Sequence, residues 1–88
     1  LTRLDLIRQG LSAESTQLLA SAPLTSQLQH LDLSQNHQLV RDDIELRNLY
    51  ALSEALDPGR LKSLDLSKSG LFEVPSFLTA RFGDRVKL

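Results

Sequence analysis

Cysteine is absent from this 88-residue chain, and aromatic side chains stop at one tyrosine and three phenylalanines. Without cysteine there is neither a disulfide nor a thiolate metal ligand within the sequence. With Tyr50, Phe72, Phe77 and Phe82 as the whole aromatic set, no interleaved platform exists for stacking bases. A surplus of positive charge is missing too. Ten Lys and Arg face eleven Asp and Glu for a net charge of −1, which argues against a general nucleic-acid binder, since affinity for a polyanion rests on clustered cations. No apolar run approaches the roughly 20 residues of a membrane span. There is no Asn-x-Ser/Thr acceptor, and no secretory signal is expected. An intracellular protein, cytoplasmic or nuclear, is the expectation.

The usual carriers of catalysis are likewise missing. No Gly-x-Ser-x-Gly elbow occurs, and the glycines, Gly10, Gly59, Gly70 and Gly83, are scattered at turns rather than gathered into a phosphate loop. The histidines, His30 and His37, lie seven residues apart without a ligand spacing. No enzymatic activity, metal or cofactor is expected of the chain.

What the chain does contain is one pattern written three times. Leu-x-x-Leu-x-Leu stands at Leu1-Leu4-Leu6, at Leu28-Leu31-Leu33 and at Leu61-Leu64-Leu66, with Asp5, Asp32 and Asp65 between the last two leucines. Gln9 and Leu11, then Asn36, then Ser69 and Leu71 follow in turn. In a short strand alternate side chains share a face, so Leu4 and Leu6 point one way and Arg3, Asp5 and Ile7 the other.

Between the copies the period changes. Ser12 to Ala22 reads as a helix, with Ser12 as N-cap, Leu18 and Leu19 facing inward, and Pro23 ending it. Asp42 and Glu45 have capping-box spacing ahead of Leu46, Leu49, Tyr50, Ser53 and Leu56, whose steps of three and four define one helical face. That helix should stop before Asp57-Pro58-Gly59, a strong breaker. Arg41-Asp42-Asp43 with Glu45 lacks the alternating ligands and central glycine of a calcium loop, and reads instead as acidic residues at a helix start. Gln35 to Val40 carries an extra residue, which predicts a looped-out step near His37. Pro75 could begin a single helical turn. Arg81, Arg85 and Lys87 form a small basic cluster, read as solvated surface.

On these motifs the chain resembles a leucine-rich repeat array along essentially its whole length. The resemblance implies an α/β solenoid: an open arc with a parallel sheet on its concave side and helical or irregular returns on its convex side. One domain, 1–88, would hold repeats of about 1–27, 28–60 and 61–84. If Leu88 aligns with Leu64, a further repeat starts at 85–88. The middle unit is oversized for such repeats, and the uncapped ends suggest a piece of a longer array. Lack of cysteine-rich caps sets it apart from secreted members. Asn36 should turn inward to hydrogen-bond the backbone of neighbouring units, with Gln9 and Ser69 as weaker substitutes.

The function implied is protein recognition through the concave strand face. Its candidate contact residues are Arg3, Asp5, His30, Asp32, Ser63 and Asp65, with Arg8, Gln35 and Lys68 beside them. Neighbouring strands lie about 4.8 Å apart, so the aspartates would form an acidic column suited to a basic segment of the partner. The plainer reading is that Leu-Asp-Leu is a common form of this repeat, its carboxylates solvated or neutralised by Arg8 and Lys68. An RNA-associated module of the nuclear-export type and a structural brace for neighbouring domains are the alternatives. The uncapped strands also open the way to end-to-end self-association.

Overall fold

The structure, a computed structural model, describes the chain apart from Leu1, Ser12, Gln38, Val40, Arg41 and Asp42, and describes backbone without side chains at Ala13, Asp43, Ile44 and Glu45. The N-cap role of Ser12, the capping box of Asp42 and Glu45, and the reading of Arg41-Asp42-Asp43 therefore lie outside the described residues.

Four short strands, β1 (Arg3–Asp5), β2 (His30–Asp32), β3 (Ser63–Asp65) and β4 (Val86–Lys87), form one sheet in the order β1-β2-β3-β4. Every pairing is parallel. Parallel neighbours need a crossover between them, and the connections run through α1 (Ala13–Ser21), α2 (Asp43–Ala55) and α3 (Ser76–Phe82). The fold is α/β, with the helices packed against the leucine-bearing face of the sheet. Among the described residues no helix is long and apolar enough to cross a membrane.

Register follows the motif. Leu4 stands opposite Leu31, Leu31 opposite Leu64, and Leu64 opposite Val86. Backbone bonds carry the ladder past the strand ends, from Leu6 N to Asp32 O, Leu33 N to Asp65 O and Leu66 N to Lys87 O, each 2.8 Å. Leu28, Leu31 and Leu33, with Leu61, Leu64 and Leu66, are fully buried; Leu4 and Leu6 are only partly so. The difference is positional, because β1 has a neighbour on one side only. Burying a leucine side chain contributes about 1.5–3 kcal/mol, so the two inner copies supply most of what the motif contributes to the core.

Asn36 is a polar residue within the core, 1% exposed. Its side chain is buried, and its Oδ1 accepts from Gln9 N at 2.9 Å and Leu11 N at 3.1 Å. Its Nδ2 donates to Leu6 O at 2.9 Å, Leu33 O at 2.8 Å and Ser34 O at 3.2 Å. One amide thus satisfies backbone groups of its own loop and of the preceding one. Among the described residues, the buried hydroxyl of Ser69 donates to Leu66 O alone, at 2.5 Å. Gln9 stays exposed, its amide donating to Ile7 O at 3.2 Å.

The helices agree with expectation in placement and depart from it in detail. In α1 the inward row is Thr16, Leu19 and Ala20, while Leu18 is 74% exposed. Adjacent helical positions are about 100° apart, so Leu18 and Leu19 cannot share one narrow face; Leu18 facing in is corrected. In α2 the buried row is Leu49, Leu52 and Ser53, and Leu56 just past its end continues it. Leu52 takes the central place there, and Tyr50 points to solvent.

The breaker behaves as read. α2 ends at Ala55, Asp57 Oδ1 accepts from Gly59 N at 2.8 Å, and Asp57 O accepts from Arg60 N at 3.0 Å and Leu61 N at 2.8 Å. The helix after Pro75 is longer than a single turn. It runs seven residues, because Leu78 and Phe82, four apart, both reach the core, and Gly83 closes it at φ 63°.

Arg81 and Arg85 are not solvated cations. Arg81 Nη2 donates to Glu54 O at 3.3 Å and Leu56 O at 3.1 Å, placing a positive group on carbonyls at the end of α2, where the helix dipole favours one. Arg85 Nη1 donates to Pro58 O at 2.6 Å and Leu61 O at 2.7 Å, and its Nε donates to Phe82 O at 2.7 Å. Both guanidinium groups lie near the ring of Phe82, at 5.9 and 5.7 Å from its centre. This anchorage sets the entry of the last strand. Val86, not Leu88, stands opposite Leu64, which corrects the alignment of Leu88 with Leu64.

Candidate functional site: the outer face of the sheet

Where the leucines of the strands turn inward, the residues between them form a second, solvent-facing lattice. Its first row is Arg3, His30 and Ser63, and its second is Asp5, Asp32, Asp65 and Lys87. These residues, with Leu31 and Leu64, line a shallow cavity of ≈ 200 Å³. Six of the nine expected contact residues are brought together in it: Arg3, Asp5, His30, Asp32, Ser63 and Asp65.

Arg8, Gln35 and Lys68 are not in its lining. They share another property: each has a positive φ, at 55°, 61° and 56°. A non-glycine residue in this left-handed region costs roughly 1 kcal/mol or more. Its recurrence three residues after each aspartate shows that the chain leaves each strand by one and the same turn.

The aspartates are not equivalent carboxylates on a bare column. Asp5 is held by Arg3, whose Nε lies 3.1 Å from Oδ2. Asp32 Oδ1 accepts from Ser34 N at 2.9 Å. Asp65 Oδ1 accepts from Ser67 N at 3.0 Å and from Ser67 Oγ at 2.6 Å. One oxygen of each inner aspartate is thus spent on tying down the turn that follows its strand, a local side chain to backbone bond that short acidic residues make readily. Among the described residues, Oδ2 of both takes no hydrogen bond and no ion pair.

Neither Arg8 nor Lys68 is in an ion pair with an aspartate among the described residues. The Arg8 guanidinium donates to Gln35 Oε1, at 2.9 and 2.6 Å. Lys68 makes no ion pair among the described residues. With Asp5 paired to Arg3, negative charge concentrates at the middle of the face, on Asp32 and Asp65. Positive charge stands at its far end, on Lys87.

Lys87 is the site residue that sequence reasoning missed. It looked like part of a basic cluster with Arg81 and Arg85, whereas those two turn back onto the backbone and Lys87 alone reaches the face. A signal was present: Val86-Lys87-Leu88 has the apolar-charged-apolar form of Leu4-Asp5-Leu6. In the first row, His30 Nδ1 lies 2.8 Å from Ser63 Oγ, a cross-strand polar pair of the sort that stabilises neighbouring strands. It holds the ring in one orientation over the cavity.

Comparison of the chain with protein-family models, with curated proteins and with solved structures gives no match. What the face can do therefore rests on its own geometry. It offers two half-engaged carboxylates side by side, a histidine–serine pair above them, and a cation on each flank.

Proposed function

We propose that the chain is an arc of leucine-rich repeats in an intracellular protein, and that it recognises another protein through the outer face of its strands. The occupant of that face is a segment presenting basic side chains to Asp32 and Asp65. A partner carboxylate over Lys87 would set its direction. The observation that carries this reading is the in-register row Asp5-Asp32-Asp65-Lys87 along one cavity. The inward amide of Asn36 and the repeated turn at Arg8, Gln35 and Lys68 support the repeat reading. No catalysis or cofactor is part of the proposal, and an acidic centre suits a cationic partner rather than a polyanion.

The local bonds of the aspartates choose the test. Asp32→Asn with Asp65→Asn removes both charges yet keeps an Oδ1 acceptor for Ser34 N and Ser67 N, so the turns stand. Partners captured from a cell extract on the wild-type chain would be identified and their affinity measured directly at low and high salt. The double variant is expected to bind at least tenfold more weakly, with a shallower salt dependence, as for paired charges across an interface. Undiminished affinity in a folded double variant would move recognition away from the strand face.

A further inference from the structure

The helix side of the molecule leaves apolar side chains in water. Phe72 is fully exposed and Tyr50 about half so, with Leu46, Leu71, Pro75 and Phe77 half-buried around them. Two shallow hollows meet here. One, of ≈ 310 Å³, is lined by Leu46, Arg47, Tyr50 and Phe77. The other, of ≈ 370 Å³, is lined by Leu46, Gly70, Leu71, Phe72, Glu73 and Pro75. Leu46 belongs to both, so they adjoin.

The first hollow has an aromatic wall. The rings of Tyr50 and Phe77 pack edge to face, with centres 5.2 Å apart and planes at 71°. The second carries the projecting ring of Phe72. Each hollow also has one charge, Arg47 in the first and Glu73 in the second. Both residues are exposed, and among the described residues neither is in an ion pair.

The two halves carry opposite charges, and one of them bears the projecting ring of Phe72. In a two-fold pairing centred near Leu46, the residue common to both hollows, each hollow would face the other hollow of the second copy, with Phe72 over Tyr50 and Phe77. The same pairing would bring Glu73 of one copy toward Arg47 of the other, and each contact would occur twice. A two-fold interface requires such self-complementarity of a single patch. We propose that this face mediates a symmetric homodimer, anchored by Phe72 and oriented by the crossed Arg47–Glu73 pairs. The proposal does not depend on the reading of the strand face, which lies across the sheet and stays open in the dimer.

Sedimentation equilibrium of the 88-residue chain tests it, with far-UV circular dichroism confirming that each variant is folded. The wild type is expected to show a monomer–dimer equilibrium between micromolar and millimolar concentration. Phe72→Ala should raise the dimer Kd by about thirtyfold, as loss of an aromatic anchor does. Arg47→Glu or Glu73→Arg alone should raise it by about tenfold, and the two together should restore it to within roughly threefold of wild type. A chain that stays monomeric at about 1 mM overturns the proposal and leaves the face to a different protein. So does a dimer indifferent to Phe72→Ala, or single reversals that the double variant does not rescue. Growth beyond the dimer would overturn it as well, because end-to-end pairing through β1 and β4 makes open-ended chains whereas a two-fold contact closes.

Discussion

Replacing Asn36 by alanine is expected to destabilise the protein by about 3 kcal/mol, more than removal of most core methyl groups. The side chain is 1% exposed and makes five hydrogen bonds. Three of them reach the preceding loop, at Leu6 O, Gln9 N and Leu11 N, and two are local. Each ordinary hydrogen bond contributes about 1 kcal/mol net, while a buried donor left unpaired costs about 1–3 kcal/mol. Gln9 lies at the surface, so water replaces the lost partner of its N–H cheaply. Leu11 is half-buried, and its N–H pays more of the desolvation penalty. The three bonds between the loops at about 1 kcal/mol each, less at Gln9 and more at Leu11, give about 3 kcal/mol.

A domain of this length has a total stability of roughly 4–13 kcal/mol, so the loss is readily seen in urea unfolding followed by circular dichroism. Two comparisons sharpen the test. Asn36→Ser keeps a local hydroxyl bond of the kind Ser69 makes to Leu66 O, and should fall between alanine and wild type. Asn36→Asp keeps the acceptor for Gln9 and Leu11 but turns the donor into an oxygen facing three carbonyls, so it should be at least as damaging as alanine. A cost below about 1 kcal/mol for alanine, or wild-type stability for aspartate, would refute the assignment of the amide as the tie between the two loops.

Two further tests concern the core and its closure. Arg85→Met retains a long apolar stem beside Phe82 but loses the donors to Pro58 O and Leu61 O; a loss of about 2–3 kcal/mol in thermal or urea unfolding is expected for charge-assisted bonds. Arg85→Lys should recover only part of it, since an ammonium lacks the planar fork. Leu52→Ala should cost about 2–5 kcal/mol, as expected for a fully buried leucine, whereas Leu18→Ala should stay within about 0.5 kcal/mol. Equal costs for the two leucines in parallel urea titrations would contradict the packing of α1.

Much of the architecture is legible in residue order because it rests on periods. A step of two places Leu4, Leu31 and Leu64 on one face and the aspartates on the other, and steps of three and four mark α2. Breakers act locally, so α2 stops ahead of Asp57-Pro58-Gly59. Facing is less legible. Leu18 and Leu19 are identical in kind and adjacent, and only the position of α2 decides which of them is covered. Tyr50 likewise fits the apolar row of α2 by spacing, yet the row that meets the core is Leu49, Leu52, Ser53 and Leu56.

The candidate site divides along the same line. That Asp5, Asp32 and Asp65 occupy equivalent places follows from the repeated motif. That Asp5 is paired to Arg3, that the other two aspartates brace the following turns, and that Lys87 closes the row all depend on distances between side chains. The sequence by itself determined strands, helices and the alternation of buried and exposed positions, because these follow from local geometry acting on side-chain polarity. Only the tertiary structure decided the register of the last strand and the destination of each guanidinium. Arg81, Arg85 and Lys87 are close in sequence and alike in charge; which carbonyls or solvent each one meets is settled by segments some 24 to 27 residues away.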